Sequence, residues 1–165
     1  MDDAEAAYIA GFFDGEGSLG IYSNGTTGRC LRAQITQAES KEARETLERW
    51  RARWGGSLCT LNRSLRRHAM IWQVSGDNAA DFLREIRPWL RLKADQADIA
   101  IAWQSARPAT RRDERGRILG RTPAERARDD LAAATLVAMK RPAAEPADLV
   151  EVRHTLGQIL NVEGD

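Results

Sequence analysis

Hydrophobic and polar positions change their period several times along the chain, and each change marks an element. Apolar residues recur at helical spacing over about residues 3–16. The spacing then becomes two in the runs 17–24 and 29–37, which surround a turn that begins at Asn24-Gly25. The pattern therefore predicts a first helix that leads directly into a β-hairpin.

The same order of elements then repeats. Ser40 is a suitable cap for a helix over about 41–54, and a second hairpin follows over 57–75, with Met70, Trp72 and Val74 expected to face inward. Asp77 or Asn78 is expected to cap a short helix to Ile86, and a further helix follows to about Ser105. The chain is thus predicted to be α+β, of order αββαββα. Its four-stranded antiparallel sheet would carry helices on one face.

The last third of the chain adds a loop and helices. Residues 107–121 are rich in Arg and form either a basic linker or a loop that contacts phosphates. Thr122-Pro123-Ala124-Glu125 is a capping box that predicts a helix to about Lys140. We expect one domain over 1–141, with 142–165 as a C-terminal helical extension packed on it.

Charge is distributed unevenly, although the net charge is only +1. Basic residues outnumber acidic ones between residues 29 and 128, whereas the two ends are acidic, so the middle suits a polyanionic partner. Cys30 and Cys59 are expected to be reduced, buried thiols, and two Cys with two His make no zinc site. No signal peptide or membrane span is expected. The predicted location is the cytoplasm or the compartment that holds the host genome, such as an organelle.

One face of the first hairpin is polar but carries no Asp, Glu or Lys. Tyr22, Arg32, Gln34 and Thr36 fall on the side opposite the apolar positions, and these groups can contact base edges in a major groove. The alternative is an ordinary solvated sheet face. Solvated faces usually carry mixed charges, which favours the nucleic-acid interpretation.

The first helix has two features that an isolated helix would avoid. Ala7, Gly11 and Gly15 form a stripe almost without side chains, although glycine costs a helix roughly 1 kcal/mol relative to alanine. The natural reason is the close approach of another backbone. Asp14 and Glu16 follow at the C-terminal end of the helix, where its dipole is unfavourable for carboxylates. A divalent cation would resolve that conflict.

A cation is one of several interpretations of the acidic helix end. Two solvated acids before a Gly-Ser turn account for the spacing about equally well. A helix–loop–helix calcium site is excluded, because Gly25 stands where the loop needs a Glu. A phosphate-binding glycine loop is a poor fit, because the two acids would repel the phosphate.

The segment Ile9-Ala10-Gly11-Phe12-Phe13-Asp14-Gly15-Glu16-Gly17 resembles the signature of the LAGLIDADG homing endonucleases. It occurs once, as in the single-motif members that act as homodimers. Ala33-Gln34-Ile35-Thr36-Gln37 is similar to the end of the family's second strand. Pro88-Trp89-Leu90-Arg91-Leu92-Lys93, followed by Gln96-Ala97, is similar to a later family stretch that ends in an active-site lysine.

The resemblance implies a saddle-shaped sheet in the DNA major groove and a homodimer that cleaves both strands of a partly palindromic target. It implies Mg²⁺ or another divalent cation held by Glu16 and the Gly15 carbonyl, with Gln37 and Lys93 as further catalytic residues. The implied dimer interface comprises Ala7, Gly11, Asp14 and Gly15. The expected DNA contacts are Tyr22, Asn24, Arg29, Arg32, Gln34, Thr36, Thr60, Asn62, Arg66, Arg67 and Gln73.

Two functions besides cleavage remain open at this point. One is a non-cleaving nucleic-acid binder of the same fold, such as an intron RNA maturase or a transcriptional regulator. The second is a structural or protein-binding module. Neither a membrane partner nor a small-molecule substrate is expected.

Overall fold

The computed structural model describes residues 1–25, 28–63 and 67–140, with the backbone alone for 62, 63 and 67. The predicted order αββαββα is confirmed, and two helices follow it. A short 3₁₀ turn, Arg87–Trp89, precedes the first of these two helices. The elements are α1 (Asp3–Glu16), β1 (Gly17–Ser23), β2 (Arg29–Ala38), α2 (Lys41–Trp54), β3 (Ser57–Arg63), β4 (Arg67–Ser75), α3 (Asp77–Ile86), α4 (Ala94–Ser105) and α5 (Pro123–Ala138).

The strands form one open antiparallel sheet in the order β1-β2-β4-β3. The two hairpins therefore join through β2 and β4, which puts the return strand of each at the centre. At the middle of the sheet Gln34 lies opposite Ser18 on one side and opposite Gln73 on the other. The alternation of side chains along each strand then gives the sheet an inner and an outer face.

The inner face packs against the helices. Its side chains are almost fully buried, and they are Leu19, Ile21, Leu31, Ala33, Ile35, Met70, Trp72 and Val74. An aromatic cluster joins sheet and helices, because the Trp72 ring lies 5.9 Å from Trp50 and 5.1 Å from Phe82. Helices therefore cover one face, as expected, and the outer face is left for a partner.

Two of the three predicted helix starts are confirmed. Ser40 accepts from the Ala43 amide at 3.1 Å, and the Thr122–Glu125 pair forms a reciprocal capping box. The prediction that Asp77 or Asn78 caps α3 is wrong. Gly76 is the cap, with φ of 64°, because this left-handed conformation turns the chain directly from β4 into the helix.

Helix α5 packs beside the edge strand β1, where Arg29 and Asp130 form an ion pair with a separation of 2.7 Å. The expected C-terminal extension, residues 142–165, lies outside the described residues. Among the described residues no helix is long and apolar enough to cross a membrane.

Candidate active site and nucleic-acid interface

Asp14, in the last turn of α1, holds the segment that precedes α4. Its carboxylate accepts hydrogen bonds from the backbone amides of Arg91, Leu92 and Lys93, at 2.7, 3.1 and 3.0 Å. The residue is 9% exposed, so both oxygens are used inside the fold. These bonds explain how a carboxylate is stable at this helix end. The expectation that Asp14 also belongs to a subunit interface stays a prediction.

Lys93 returns to the same helix end. Its Nζ donates to the Asp14 carbonyl, so the ammonium group lies beside the last turn of α1. Burial lowers the pKa of Lys93, the nearby Asp14 and Glu16 act to raise it, and Lys140 lowers it further. Glu16, the final residue of α1, is exposed. Two of the three predicted catalytic residues are therefore close enough to interact electrostatically.

Gln37 lies at the same end of the sheet. Ile35 pairs with Gly17, the residue after Glu16, and Gln37 is two positions further along β2, which is roughly 7 Å. Its Oε1 accepts from the Ala38 amide at 3.2 Å. The fold thus brings the end of α1, the end of β2 and the start of α4 to one place.

This place has the donors for a cation shared with another molecule. Among the described residues, no group of three or more His, Cys, Asp or Glu side chains is placed to hold a metal. The Asp14 carboxylate is already occupied, which leaves the exposed Glu16 carboxylate and the carbonyls of the helix end. Mg²⁺ takes about six oxygens and is usually held by one or two carboxylates, waters and substrate phosphates. The residues therefore fit a divalent cation that a nucleic acid helps to bind.

The three glycines of the motif differ in their surroundings. A Cβ at Gly17 would lie 2.2 Å from the Phe13 ring, so the packing of this chain requires glycine there. A Cβ at Gly11 or Gly15 would meet nothing within 4 Å. Both residues are exposed, as is Ala7, so the small stripe lies open on the surface of α1. Contacts among the described residues give no reason for glycine at Gly11 and Gly15.

The outer sheet face carries five of the eleven side chains expected to contact DNA. Arg32, Gln34 and Thr36 alternate with buried residues along β2, and Tyr22 and Gln73 lie on the same face through the strand pairing. Strand positions on this face hold no Asp or Glu within the part of the chain that the structure describes. The face also includes Cys59 and Ile71, which the sequence pattern did not single out.

The register between β3 and β4 determines the sheet face on which two of the expected DNA contacts lie. Thr60 pairs with the buried Met70, so it belongs to the helix side of the sheet and not to the face of Gln73, which pairs with Ser57. Asn62 is two positions further along β3, so its place in the strand belongs to the same face as that of Thr60. The pairing register between the two strands, which the sequence pattern left open, determines these faces.

The remaining expected contacts have mixed surroundings. Arg29 is half-buried in its pair with Asp130, whereas Asn24 is exposed at the end of the first hairpin. Arg67 pairs with Arg63 through the backbone at the end of the second hairpin. Arg66 lies outside the described residues.

The comparisons with known proteins rest on structure alone. No protein-family model and no curated protein matches the chain. The homing endonuclease I-CvuI, solved in complex with a DNA target, matches with a TM-score of 0.64, 18% identity and coverage of 93% of this chain and 95% of that chain. The archaeal intron-encoded homing endonuclease I-Vdi141I, complexed with DNA, matches with a TM-score of 0.58 and 18% identity. The match covers 96% of this chain and 98% of that chain. The LAGLIDADG homing endonuclease I-GzeII, also in complex with its DNA target, matches with a TM-score of 0.55 and 13% identity.

The chain has the LAGLIDADG homing endonuclease fold. Within this fold it covers almost all of I-CvuI but 49% of the longer I-GzeII chain. The segment that resembles the family signature lies at the end of α1 and the start of β1.

One basic residue near the candidate site was not predicted from the sequence. Lys140 follows α5, and its Nζ lies 6.0 Å from the centre of the Tyr22 ring. Its charge also acts on Lys93. Nothing local in the sequence marks it, because its position depends on how α5 packs beside β1.

Proposed function

We propose that this protein is a site-specific, divalent-metal-dependent endonuclease for double-stranded DNA, which acts as a homodimer on a partly palindromic target. The observation that carries the proposal is the meeting of Glu16 and Lys93 at the end of α1. An exposed carboxylate and a half-buried amine lie there, and the described strand positions of the outer sheet face hold no Asp or Glu. The match to DNA-bound homing endonucleases supports the same conclusion.

Each residue has a role that follows from its position. Glu16 and the Gly15 carbonyl would hold the cation, which when bound supplies an activated water and stabilises the leaving oxygen. Lys93 would stabilise negative charge on the phosphate, because its ammonium group is fixed by the Asp14 carbonyl and is partly shielded from water. Gln37 would orient water or a phosphate oxygen from the end of β2. Asp14 acts through Lys93 as a positioning residue.

The open stripe supports the homodimer. Ala7, Gly11 and Gly15 are exposed and allow a second backbone to approach α1 closely. Two copies joined there would place two Glu16 carboxylates near the symmetry axis, one for each DNA strand. The 49% coverage of the I-GzeII chain leaves room for a second unit of similar size in that protein.

Two copies also determine the form of the target. An isologous dimer presents the same outer sheet face twice, so it favours a sequence with two related halves. The polar positions on that face would contact base edges, and the hairpin ends would contact the phosphate backbone.

The first experiment is cleavage of a randomised duplex library by the wild-type chain and by Glu16→Gln. We expect Glu16→Gln to bind DNA but to cleave at least about 100-fold more slowly, because it loses the metal carboxylate. The matched control is Glu5→Gln, which neutralises an exposed acid at the other end of α1. If Glu16→Gln and Glu5→Gln cleave at equal rates, the assignment of Glu16 is wrong.

The second experiment tests the metal. We expect EDTA to abolish cleavage and Mg²⁺ to restore it, while binding survives without the ion. The I-CvuI complexes were obtained in the presence of Mg²⁺ or Ca²⁺, which makes these two ions the natural pair to compare. A wild-type chain that binds DNA in Mg²⁺ but never cleaves it would instead be a non-cleaving nucleic-acid binder.

A further inference from the structure

Two cations contact one aromatic ring on the outer side of β1. The Arg32 guanidinium lies 5.1 Å from the centre of the Tyr22 ring, and the Lys140 ammonium lies 6.0 Å from it. The ring itself leans over Gly20, where an added Cβ would come within 2.9 Å of it. Gly20 therefore allows the ring to lie close to the strand between residues from β2 and from the end of α5.

Neither cation forms an ion pair with a carboxylate among the described residues. The Nε of Arg32 is buried and has no hydrogen-bond partner in the described part of the chain. No carboxylate of the described residues lies within 4 Å of the Lys140 ammonium, whereas the nearby Arg29 is paired with Asp130. A ring face attracts a cation, but it does not remove the repulsion between two cations. Anions bound beside the two cations would offset this repulsion.

The position of this cluster indicates which anion it suits. The charge of Lys140 lowers the pKa of Lys93, so the cluster lies within electrostatic range of the proposed cleavage centre. It also adjoins the face that carries Gln34 and Thr36. A DNA strand that crosses from that face to Glu16 would pass its phosphates along this edge.

We propose that Arg32 and Lys140, arranged around Tyr22, bind backbone phosphates of the DNA strand beside the cleavage centre. This inference rests on the proposed function, since it assumes a DNA partner. It changes the expected roles of Tyr22 and Arg32 from base recognition to backbone contact, and it adds Lys140 to the interface. Backbone contacts orient the protein on the duplex and carry no direct sequence information.

The first test is the salt dependence of binding to a labelled duplex of random sequence, for the wild type, Lys140→Ala and Lys41→Ala. Lys41 is the matched control, because it is an exposed lysine on α2. We expect Lys140→Ala to reduce the slope of log K against log salt by about 0.9 for each subunit, and Lys41→Ala to leave it unchanged. Lys140→Arg should retain the slope. Equal slopes for Lys140→Ala and Lys41→Ala would overturn the proposal.

The second test locates the phosphate. Single phosphates of a duplex that the wild type cleaves are replaced by neutral methylphosphonates. The binding of the wild type and of Lys140→Ala is then compared at each position. We expect one position near the cut where the replacement weakens the wild type and has no further effect on Lys140→Ala. A Lys140→Ala variant that changes the preferred base at one position, with no such coupling, would show base contact instead and overturn the proposal.

Two further outcomes separate this inference from its assumptions. If inorganic phosphate alone protects Lys140 from chemical modification as well as duplex DNA does, the cluster is a site for free anions. That result would overturn the assignment to DNA. A wild-type chain with no salt-dependent DNA affinity would refute the proposed function itself. If the chain binds and cleaves DNA, but Lys140→Ala leaves the slope of log K against log salt unchanged, this inference alone is refuted.

Discussion

Replacement of Asp14 by alanine tests the most distinctive contact of the site. The substitution removes the acceptor for three backbone amides, those of Arg91, Leu92 and Lys93. Hydrogen bonds to a charged group contribute about 1.5–3 kcal/mol each when the partners stay buried. Arg91 and Leu92 are exposed, so water can reach part of this segment after the change. We therefore expect a loss of about 2–4 kcal/mol in the free energy of unfolding.

Asp14→Asn separates shape from charge. The amide keeps one acceptor oxygen, but its other half is a donor that faces backbone amides, and the charge is gone. We expect a loss of about 1–2 kcal/mol for Asn, between the wild type and Ala. If Asn is as stable as Asp, charge contributes nothing to this contact.

The assay is equilibrium unfolding in urea followed by tryptophan fluorescence, at one fixed protein concentration because a dimer's stability depends on it. Asp3→Ala is the control, since it removes an exposed acid from the first turn of the same helix and should cost no more than about 1 kcal/mol. If Asp14→Ala and Asp3→Ala lose the same free energy, the three bonds do not stabilise the fold and the reasoning fails.

Three other predictions address the interface, the amine and the C-terminal helix. Gly11→Leu should leave the chain folded, because a Cβ there meets nothing, but should give monomers in sedimentation; a retained dimer would contradict the stripe assignment. The cleavage rate should fall at alkaline pH with a midpoint below pH 10.5, because burial lowers the pKa of Lys93. Lys140→Ala should raise that midpoint, because the charge of Lys140 also lowers the pKa of Lys93. An unchanged midpoint in Lys140→Ala would contradict the electrostatic coupling of the two lysines. The unfolded chain keeps the Lys93 proton to higher pH than the folded chain. The free energy of unfolding should therefore rise with pH between the pKa of Lys93 in the folded chain and its pKa in the unfolded chain. Asp129→Ala should cost about 2–3 kcal/mol in thermal unfolding, because it removes the buried acceptor of the Trp103 indole at 3.0 Å; an unchanged melting temperature would contradict this.

Much of the fold follows from local patterns in the sequence. The change from helical to alternating period predicts both hairpins, and the inward set Met70, Trp72 and Val74 is confirmed although Ile71 is equally apolar. The capping box at Thr122 is also confirmed, because its two hydrogen bonds join residues three apart. Signals of this kind depend on neighbours in sequence and need no knowledge of the tertiary structure.

The features that the sequence did not reveal are those that depend on distant partners. The amides bound by Asp14 are more than 70 positions away along the chain. The face of Thr60 depends on the register between β3 and β4. Lys140 reaches Tyr22 only because α5 packs beside β1. In each case tertiary contacts determine the position, and local spacing carries no information about it.

The segment 9–17 contains residues of two kinds, which differ in whether the described part of the fold uses them. Phe13, Asp14 and Gly17 are used within the fold, as a buried ring, a buried carboxylate and the glycine that makes space for the ring. Gly11 and Glu16 have no such use among the described residues, yet both carry a cost, in helix propensity and in electrostatics at the helix end. The costs lie on the exposed side of one helix. A second copy on the stripe and a cation with DNA at the end of α1 would offset both, so dimerisation and metal binding should be lost separately when Gly11 and Glu16 are changed one at a time.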